Sequence, residues 1–282
     1  MVCPFSSFRL SQFRSGTVQV LMATKAIELG LDIPDVRATI FWQVPNTVHR
    51  LVQGFGRAGR DGMPAKAVLF HSRSDVTKEV RNAGFTESRQ DVNERIAATL
   101  RREVWLVGLY AASTNECRRV LINGFFAWPG DPAPIPCRPE DERCDVCLRF
   151  PNGLPPAKSI QLITLAFVVY VRRSQALGQP MRATEVVLLF NGSNAANVQQ
   201  LLNVRADAER VLSNIMLGNS GSELTQQRRR MKKEDVEQLL TRLLAGGALE
   251  EDPTGNIVPG PVAEAIFGQN WAVVPVICKE SR

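Results

Sequence analysis

The sequence predicts an α/β segment on a parallel sheet, then a helical segment tied by cysteines, then a second helical segment closed by a hairpin. Three observations carry that architecture. Short β-branched, apolar runs alternate with glycine- and proline-marked turns in residues 14–80. Four of the six cysteines fall within 31 residues, beside a proline-rich stretch. The last third of the chain is helical in pattern and ends in a polar turn between two apolar runs.

In the first segment, "TVQVLMAT" (17–24), "VRATIFWQV" (36–44) and "AKAVLFH" (65–71) are the strand candidates. "KAIELGLDIPD" (25–35) between the first two predicts a helical turn closed by Gly30 and Pro34, so the strands run parallel. Residues 75–126 predict helix, with apolar spacing at Val104, Leu106, Val107, Leu109 and Tyr110. Residues 128–156 predict an extended loop: "WPGDPAPIPCRPEDERC" holds five prolines and "FPNGLPP" three. Helices are expected at 157–176, 184–190, 194–202 and 232–246, then a hairpin turning at Asp252–Asn256.

The composition is that of a globular protein, with 44% hydrophobic and 22% charged residues over 282 positions. No apolar run approaches the roughly 20 residues of a spanning helix, and residues 1–20 lack the pattern of a secretory signal. Neither a membrane nor a secretory role is expected. A net charge of +6 mildly favours a polyanionic partner. Clustered cysteines in a chain without secretory features favour a metal site over disulfides.

The densest functional signal is "HRLVQGFGRAGRDGMPAKAVLFHS" (49–72), with Gln53, Gly56, Arg57, Gly59, Arg60, Asp61 and Gly62 in ten positions. Guanidiniums fork onto phosphate oxygens, and glycines let the backbone approach a ligand closely. Its place in the chain predicts a strand-to-helix junction facing an anion. The string Q-x-x-G-R-x-G-R-D-G resembles motif VI of superfamily 2 helicases, in the "AGRDG" form of RecQ-family DNA helicases. "VLMATKAIELGLDIPDVRATIFWQVP" (20–45) resembles motif V of the same family, with "AIELGLD" where relatives carry an "AFGMGID"-like string. The resemblance implies that Thr24 contacts the nucleic-acid backbone, and that Gly30 and Asp32 form a turn coupling DNA to nucleotide. It further implies that Gln53, Gly56, Arg57 and Arg60 face the nucleotide cleft, Arg60 as the arginine finger with Arg57 as its partner on the phosphates.

Cys117-x19-Cys137-x6-Cys144-x2-Cys147 ends in the C-x-x-C spacing at which two thiolates reach one tetrahedral ion. A helical "CRR" followed by a loop with three further cysteines resembles the RecQ zinc-binding domain, with six residues between Cys137 and Cys144 as an expansion. Four thiolates imply a structural Zn2+ with no open position for catalysis. Cys3 and Cys278 carry no assignment.

"SIQLITLAFVVYVRRSQALG" (159–178), "MRATEVVLLFNGSN" (181–194) and "MKKEDVEQLLTRLLAGGALEED" (231–252) resemble the RecQ C-terminal winged-helix domain. "RRRMKK" (Arg228, Arg229, Arg230, Lys232, Lys233) places five cations in six positions, for DNA phosphates or as a solvated helix start. The wing tip "EDPTGN" is acidic and has no aromatic to stack on a base. His49, His71, Trp42 and Trp105 carry no catalytic or stacking role; both tryptophans are expected in the core.

The resemblance thus divides the chain into a partial RecA-like lobe (1–75), a helical zinc-binding domain (76–156), a winged-helix domain (157–275) and a tail (276–282). A Gly-Lys-Ser/Thr phosphate loop and a D-E-x-H-type acidic box occur nowhere in the 282 residues. What the resemblance implies is the C-terminal portion of an ATP-dependent 3′→5′ DNA helicase of recombination or repair, using ATP and Mg2+ only with a first lobe. Such a protein is nuclear in a eukaryote and otherwise cytoplasmic, and its partner is DNA, duplex or junction. The alternative is a non-catalytic zinc and winged-helix DNA-binding protein derived from a helicase.

Overall fold

The computed structural model describes residues 4–23, 32–83, 94–154, 161–193, 196–215 and 231–263. The chain divides into two compact units, Met1–Gln43 with His49–Phe70, and Val44–Val48 with His71–Arg282. The second takes in both the cysteine-bearing and the C-terminal segments.

In the first unit, helix α1 (Pro4–Arg14) precedes strand β1 (Ala38–Phe41), helix α2 (Val48–Phe55) and strand β2 (Lys66–Leu69). β1 and β2 pair in parallel, Ala38 with Lys66 through Phe41 with Leu69, as the α/β pattern predicted. α1 was not expected. The strand expected at 17–24 does not form over its described part, 17–23, and Val20 and Met22 are exposed. Strand propensity is realised only where a neighbouring strand supplies hydrogen-bond partners, and this run joins no ladder among the described residues.

α2 lies against the sheet through Gly54. A Cβ there would stand 2.4 Å from the Phe41 ring, so the residue has no side chain. The ring also meets Phe55 edge-on, with centroids 5.7 Å apart. Trp42 corrects the expectation of a core residue: it is 79% exposed, its ring tilted at 53° to that of Phe70 with centroids 5.5 Å apart. It follows the last paired residue of β1, where the alternation of the strand turns it to the face bearing exposed Ile40.

The second unit opens with α3 (Arg73–Asn82), whose N-terminus is closed by a reciprocal cap between Ser72 and Asp75. α4 (Glu94–Ala112), α5 (Arg118–Phe126) and the short α6 (Asp145–Arg149) follow, with the proline-rich loop between the last two. Then come α7 (Gln161–Ala176), β3 (Met181–Arg182), α8 (Ala183–Phe190), α9 (Ala196–Gln199), α10 (Leu202–Ile215) and α11 (Lys233–Ala245), closed by β4 (Leu249–Glu251) and β5 (Asn256–Pro259). α10 extends well past the helix expected at 194–202. The three strands form an antiparallel sheet in the order β3-β5-β4.

The core of this unit is α7, apolar on every side. Phe167, Val168, Val169, Tyr170 and Val171 are all buried, and Phe190 of α8 stacks on Phe167 at 4.2 Å between centroids. α11 buries Val236, Leu239, Leu240, Leu243 and Leu244, the i, i+3, i+4 stripe its sequence carries. It packs against α4, where the Arg102 Nε donates to the Ala245 carbonyl at 2.9 Å. Trp105 of α4 is buried as expected.

The hairpin turns at Asp252, and the acidity of its tip has a structural cause. One Asp252 carboxylate oxygen accepts from the Thr254 N–H (2.9 Å), the Thr254 hydroxyl (2.7 Å) and the Asn256 N–H (2.9 Å). The aspartate builds the turn.

Candidate functional site

The glycine–arginine stretch does not join a strand to a helix. It leaves the C-terminus of α2 and enters β2, which corrects the expected junction. The loop is held to the segment before β1 by two backbone bonds, Gly59 N–H to the Val36 carbonyl (3.0 Å) and Asp61 N–H to the Pro34 carbonyl (3.2 Å). Gly59 turns at φ +69°, and a Cβ on it would meet the Met63 carbonyl at 3.0 Å, so both conformation and space call for glycine.

Asp61 faces no ligand. Both its oxygens accept from Arg37 Nη2, at 2.7 and 2.6 Å, and the Arg37 guanidinium holds its carboxyl below the usual range. Arg37 also donates to the Asp35 and Pro64 carbonyls. This arginine falls inside the motif V-like stretch at a position given no role there, and it pins the loop to the sheet. Its only signal was its position at the start of the β1 run.

Arg60 donates from Nη1 to Asp32 at 2.6 Å, and its Nε reaches the Gly56 carbonyl at 3.4 Å. Three residues expected at one site, Asp32, Gly56 and Arg60, are therefore brought together. Asp32 is 83% exposed, so an anion arriving from solvent can compete for the guanidinium. Gln53 is exposed on α2 and Arg57 half-buried just beyond it. Thr24 and Gly30 lie outside the described residues.

The four cysteines converge. Cys117, Cys137, Cys144 and Cys147 bring their sulfurs within 4.8 Å of one another, although 30 residues separate the first from the last. Cys117 caps the N-terminus of α5, Cys144 caps α6, Cys147 sits in α6, and Cys137 lies within the proline-rich loop between them. The sulfurs of Cys117 and Cys137 are 3.5 Å apart, those of Cys117 and Cys144 4.0 Å. A tetrahedral ion with metal–sulfur bonds of about 2.3 Å requires sulfurs about 3.8 Å apart, and these distances bracket that value.

The surroundings suit thiolates. The Arg118 and Cys147 backbone N–H groups each donate to the Cys144 sulfur at 3.5 Å. Burial alone would push the Cys117 thiol up, but hydrogen bonds at the Val120 and Cys137 backbone outweigh it and bring the thiol down to about 7. Burial, then the neighbouring Cys117 and Cys144 sulfurs, push Cys147 up to about 12. Four crowded sulfurs resist ionising together, and a bound cation removes that conflict. Arg118 locks the frame, forking onto Asp145 with two 3.0 Å bonds and donating to the Tyr110 carbonyl. Arg119 pairs with Asp141 at 2.8 Å.

A half-buried fork ties this centre to α11: Arg242 donates to both oxygens of Glu116, at 2.9 and 2.8 Å, and Glu116 precedes Cys117. Of the expected cationic cluster, Arg228, Arg229 and Arg230 lie outside the described residues. Lys232 caps α11 and Lys233 lies 3.9 Å from Glu237, both exposed.

Residues 8–62 match the family model described as the helicase conserved C-terminal domain. A Caenorhabditis briggsae protein of the helicase Q1 name is 26% identical over 92% of this chain. The ATP-dependent DNA helicase RecQ of Haemophilus influenzae is 31% identical over 52% of it, covering 22% of that protein. The RecQ-like DNA helicase BLM of Xenopus laevis is 34% identical over 48%, covering 10%. Over most of its length the chain is thus similar to helicases of the RecQ family. It spans 35% of the length of the Caenorhabditis briggsae relative and 34% of that of the Caenorhabditis elegans one. β1 and the start of the glycine–arginine loop lie within the residues matched by this RecA-like family model, and β2, the parallel partner of β1, begins just past them. Among the described residues no helix is long and apolar enough to cross a membrane.

Proposed function

We propose that the chain serves an ATP-dependent 3′→5′ DNA helicase as the end of its second RecA-like lobe, a zinc-binding domain and a winged-helix domain. The observation that carries this is the Arg60–Asp32 contact at 2.6 Å, which joins the two helicase-like stretches of the sequence at one exposed carboxylate. In this reading Arg60 leaves Asp32 for the γ-phosphate of ATP and stabilises the charge that develops on the transferred phosphoryl group. Arg57 supports it on the phosphates, with Gln53 and Gly56 beside it. The phosphate loop, the acidic box and the Mg2+ they hold belong to a first lobe, since neither motif is among these residues.

Cys117, Cys137, Cys144 and Cys147 hold a structural Zn2+ that orders the proline-rich loop. Residues 157–275 form the winged helix. Its helix α11 is buried against α4 along most of its length, which favours contact with DNA through its N-terminal cations and the flanking Arg228, Arg229 and Arg230 rather than through a groove-lying face. Thr24 meets the nucleic-acid backbone. Work on a chromosome places the protein in the nucleus of a eukaryote or the cytoplasm of a bacterium.

The test is complementation. The chain is mixed with a polypeptide carrying the first lobe of a RecQ relative, and DNA-stimulated ATP hydrolysis is measured with a 3′-tailed duplex. Activity is expected in the mixture and absent from the chain alone. Arg60→Ala is expected to lower it by roughly 10³-fold or more. Undiminished turnover in that variant refutes the assignment. DNA binding without turnover in any mixture favours the non-catalytic alternative.

A further inference from the structure

The loop between α5 and Cys137 is an extended, exposed, pinned segment that no activity above uses. Every residue from Asp131 to Pro136 is either a proline or precedes one. Proline fixes φ near −65°, and a following proline drives the preceding residue out of the helical region. Three of the six residues have φ fixed and the other three are held extended, which favours the polyproline II region, a left-handed rod rising about 3.1 Å per residue, or roughly 19 Å over six residues. No secondary-structure bond occurs along it, and Pro132, Ala133, Ile135 and Pro136 are exposed.

Both ends are held. At the start, the Trp128 N–H donates to the Asp131 carboxylate at 2.7 Å and the Asp131 N–H returns to the Trp128 carbonyl at 3.0 Å. At the far end, the Cys137 sulfur stands 3.5 Å from that of Cys117. The segment presents large apolar groups to water: Trp128 is 79% and Ile135 55% exposed. The charge pattern does not suit nucleic acid. Residues 127–137 contain one charged side chain, Asp131, and across 117–149 five arginines face five carboxylates.

We propose that residues 128–136 are a recognition segment for a protein domain that reads polyproline II helices through an aromatic-lined groove. Such grooves take pre-extended proline ridges because little conformational entropy remains to be lost. Here the turn at Trp128 and the anchor at Cys137 remove most of the rest. Ile135 and Trp128 supply the apolar side chains, and the exposed prolines supply the ridge.

The test uses the full chain and purified, 15N-labelled SH3, WW and EVH1 domains, with amide shifts followed during titration. A single-stranded oligothymidylate is a parallel probe, read by fluorescence anisotropy. Saturable shifts confined to the aromatic groove of at least one domain are expected. Pro134→Ala combined with Ile135→Ala is expected to weaken that binding about tenfold or more. Trp128→Ala, at a side chain 79% exposed to solvent, is expected to weaken it without changing metal content or thermal unfolding. Three results overturn the proposal: no domain shifts, shifts indifferent to both variants, or oligothymidylate binding to the wild type that both variants abolish.

Discussion

Glu251 offers the sharpest prediction about how the hairpin is held. It lies on β4 in a small recess with Glu250, lined by Arg101, Arg102 and Trp105 of α4 and Leu244 of α11. Burial pushes its carboxyl up to about 7 from an ordinary 4.5, and the partial relief offered by Arg101 and Arg81 does not offset it. Asp252 adds to the rise. A carboxyl raised in the folded state favours the protonated form there. Its contribution to stability is therefore fully present below pH 4.5 and is lost as pH rises through about 7. At 1.36 kcal/mol per pH unit the full gap is worth roughly 3 kcal/mol. Partial solvent access and the screening it brings reduce this to about 1–2 kcal/mol between pH 5 and pH 8. Glu251→Gln keeps the shape and removes the titration. Urea-induced unfolding followed by circular dichroism at pH 5, 6, 7 and 8 is expected to show the variant gaining on the wild type across that range. Because both proteins share the cysteine centre, acid loss of any metal cancels in the difference. A constant difference from pH 5 to pH 8, or a wild type that gains on the variant, would refute the burial of a strained carboxyl at the α4–hairpin contact.

Three further outcomes are expected. Cys144→Ser removes a sulfur from the proposed zinc site: elemental analysis is expected to fall from about one zinc per chain to near none, with a large loss of thermal stability, since such sites contribute on the order of 10–16 kcal/mol in small modules; Cys3→Ser should change neither. Glu116→Gln and Arg242→Met, singly and together, are expected to give a coupling of about 1–3 kcal/mol in urea unfolding, because the pair is forked and half-buried; additive effects would show the fork to be idle. Gly54→Ala gains about 1 kcal/mol of helix propensity but drives a methyl to 2.4 Å from the Phe41 ring, so a net loss of about 1 kcal/mol is expected by differential hydrogen exchange in β1.

The sequence by itself determined whatever depends on a few neighbouring residues. The i, i+3, i+4 stripes predict α4 and α11, the all-apolar run predicts buried α7, and the β-branched runs at 36–44 and 65–71 predict the parallel pair. The C-x-x-C spacing and the Q-x-x-G-R-x-G-R-D-G string identify the two candidate sites, because ligand reach and glycine conformation are local properties. Where a run's structure depends on a neighbour, local signals misled: 17–23 has strand composition but no ladder, and Trp42 is apolar but exposed.

Only the tertiary structure decided which charges meet. Asp61 sits inside the motif yet is paired with Arg37, 24 residues earlier, and holds the loop in place. Arg60 meets Asp32, 28 residues away, and Arg242 meets Glu116, 126 residues away. Asp252, acidic at a tip where a DNA contact was sought, is consumed by its own turn. The physical reason is common to all four. A side chain's charge is legible from its letter, but whether that charge is spent on the fold or left for a ligand depends on what the chain path brings within about 3 Å of it, and no local pattern encodes that distance.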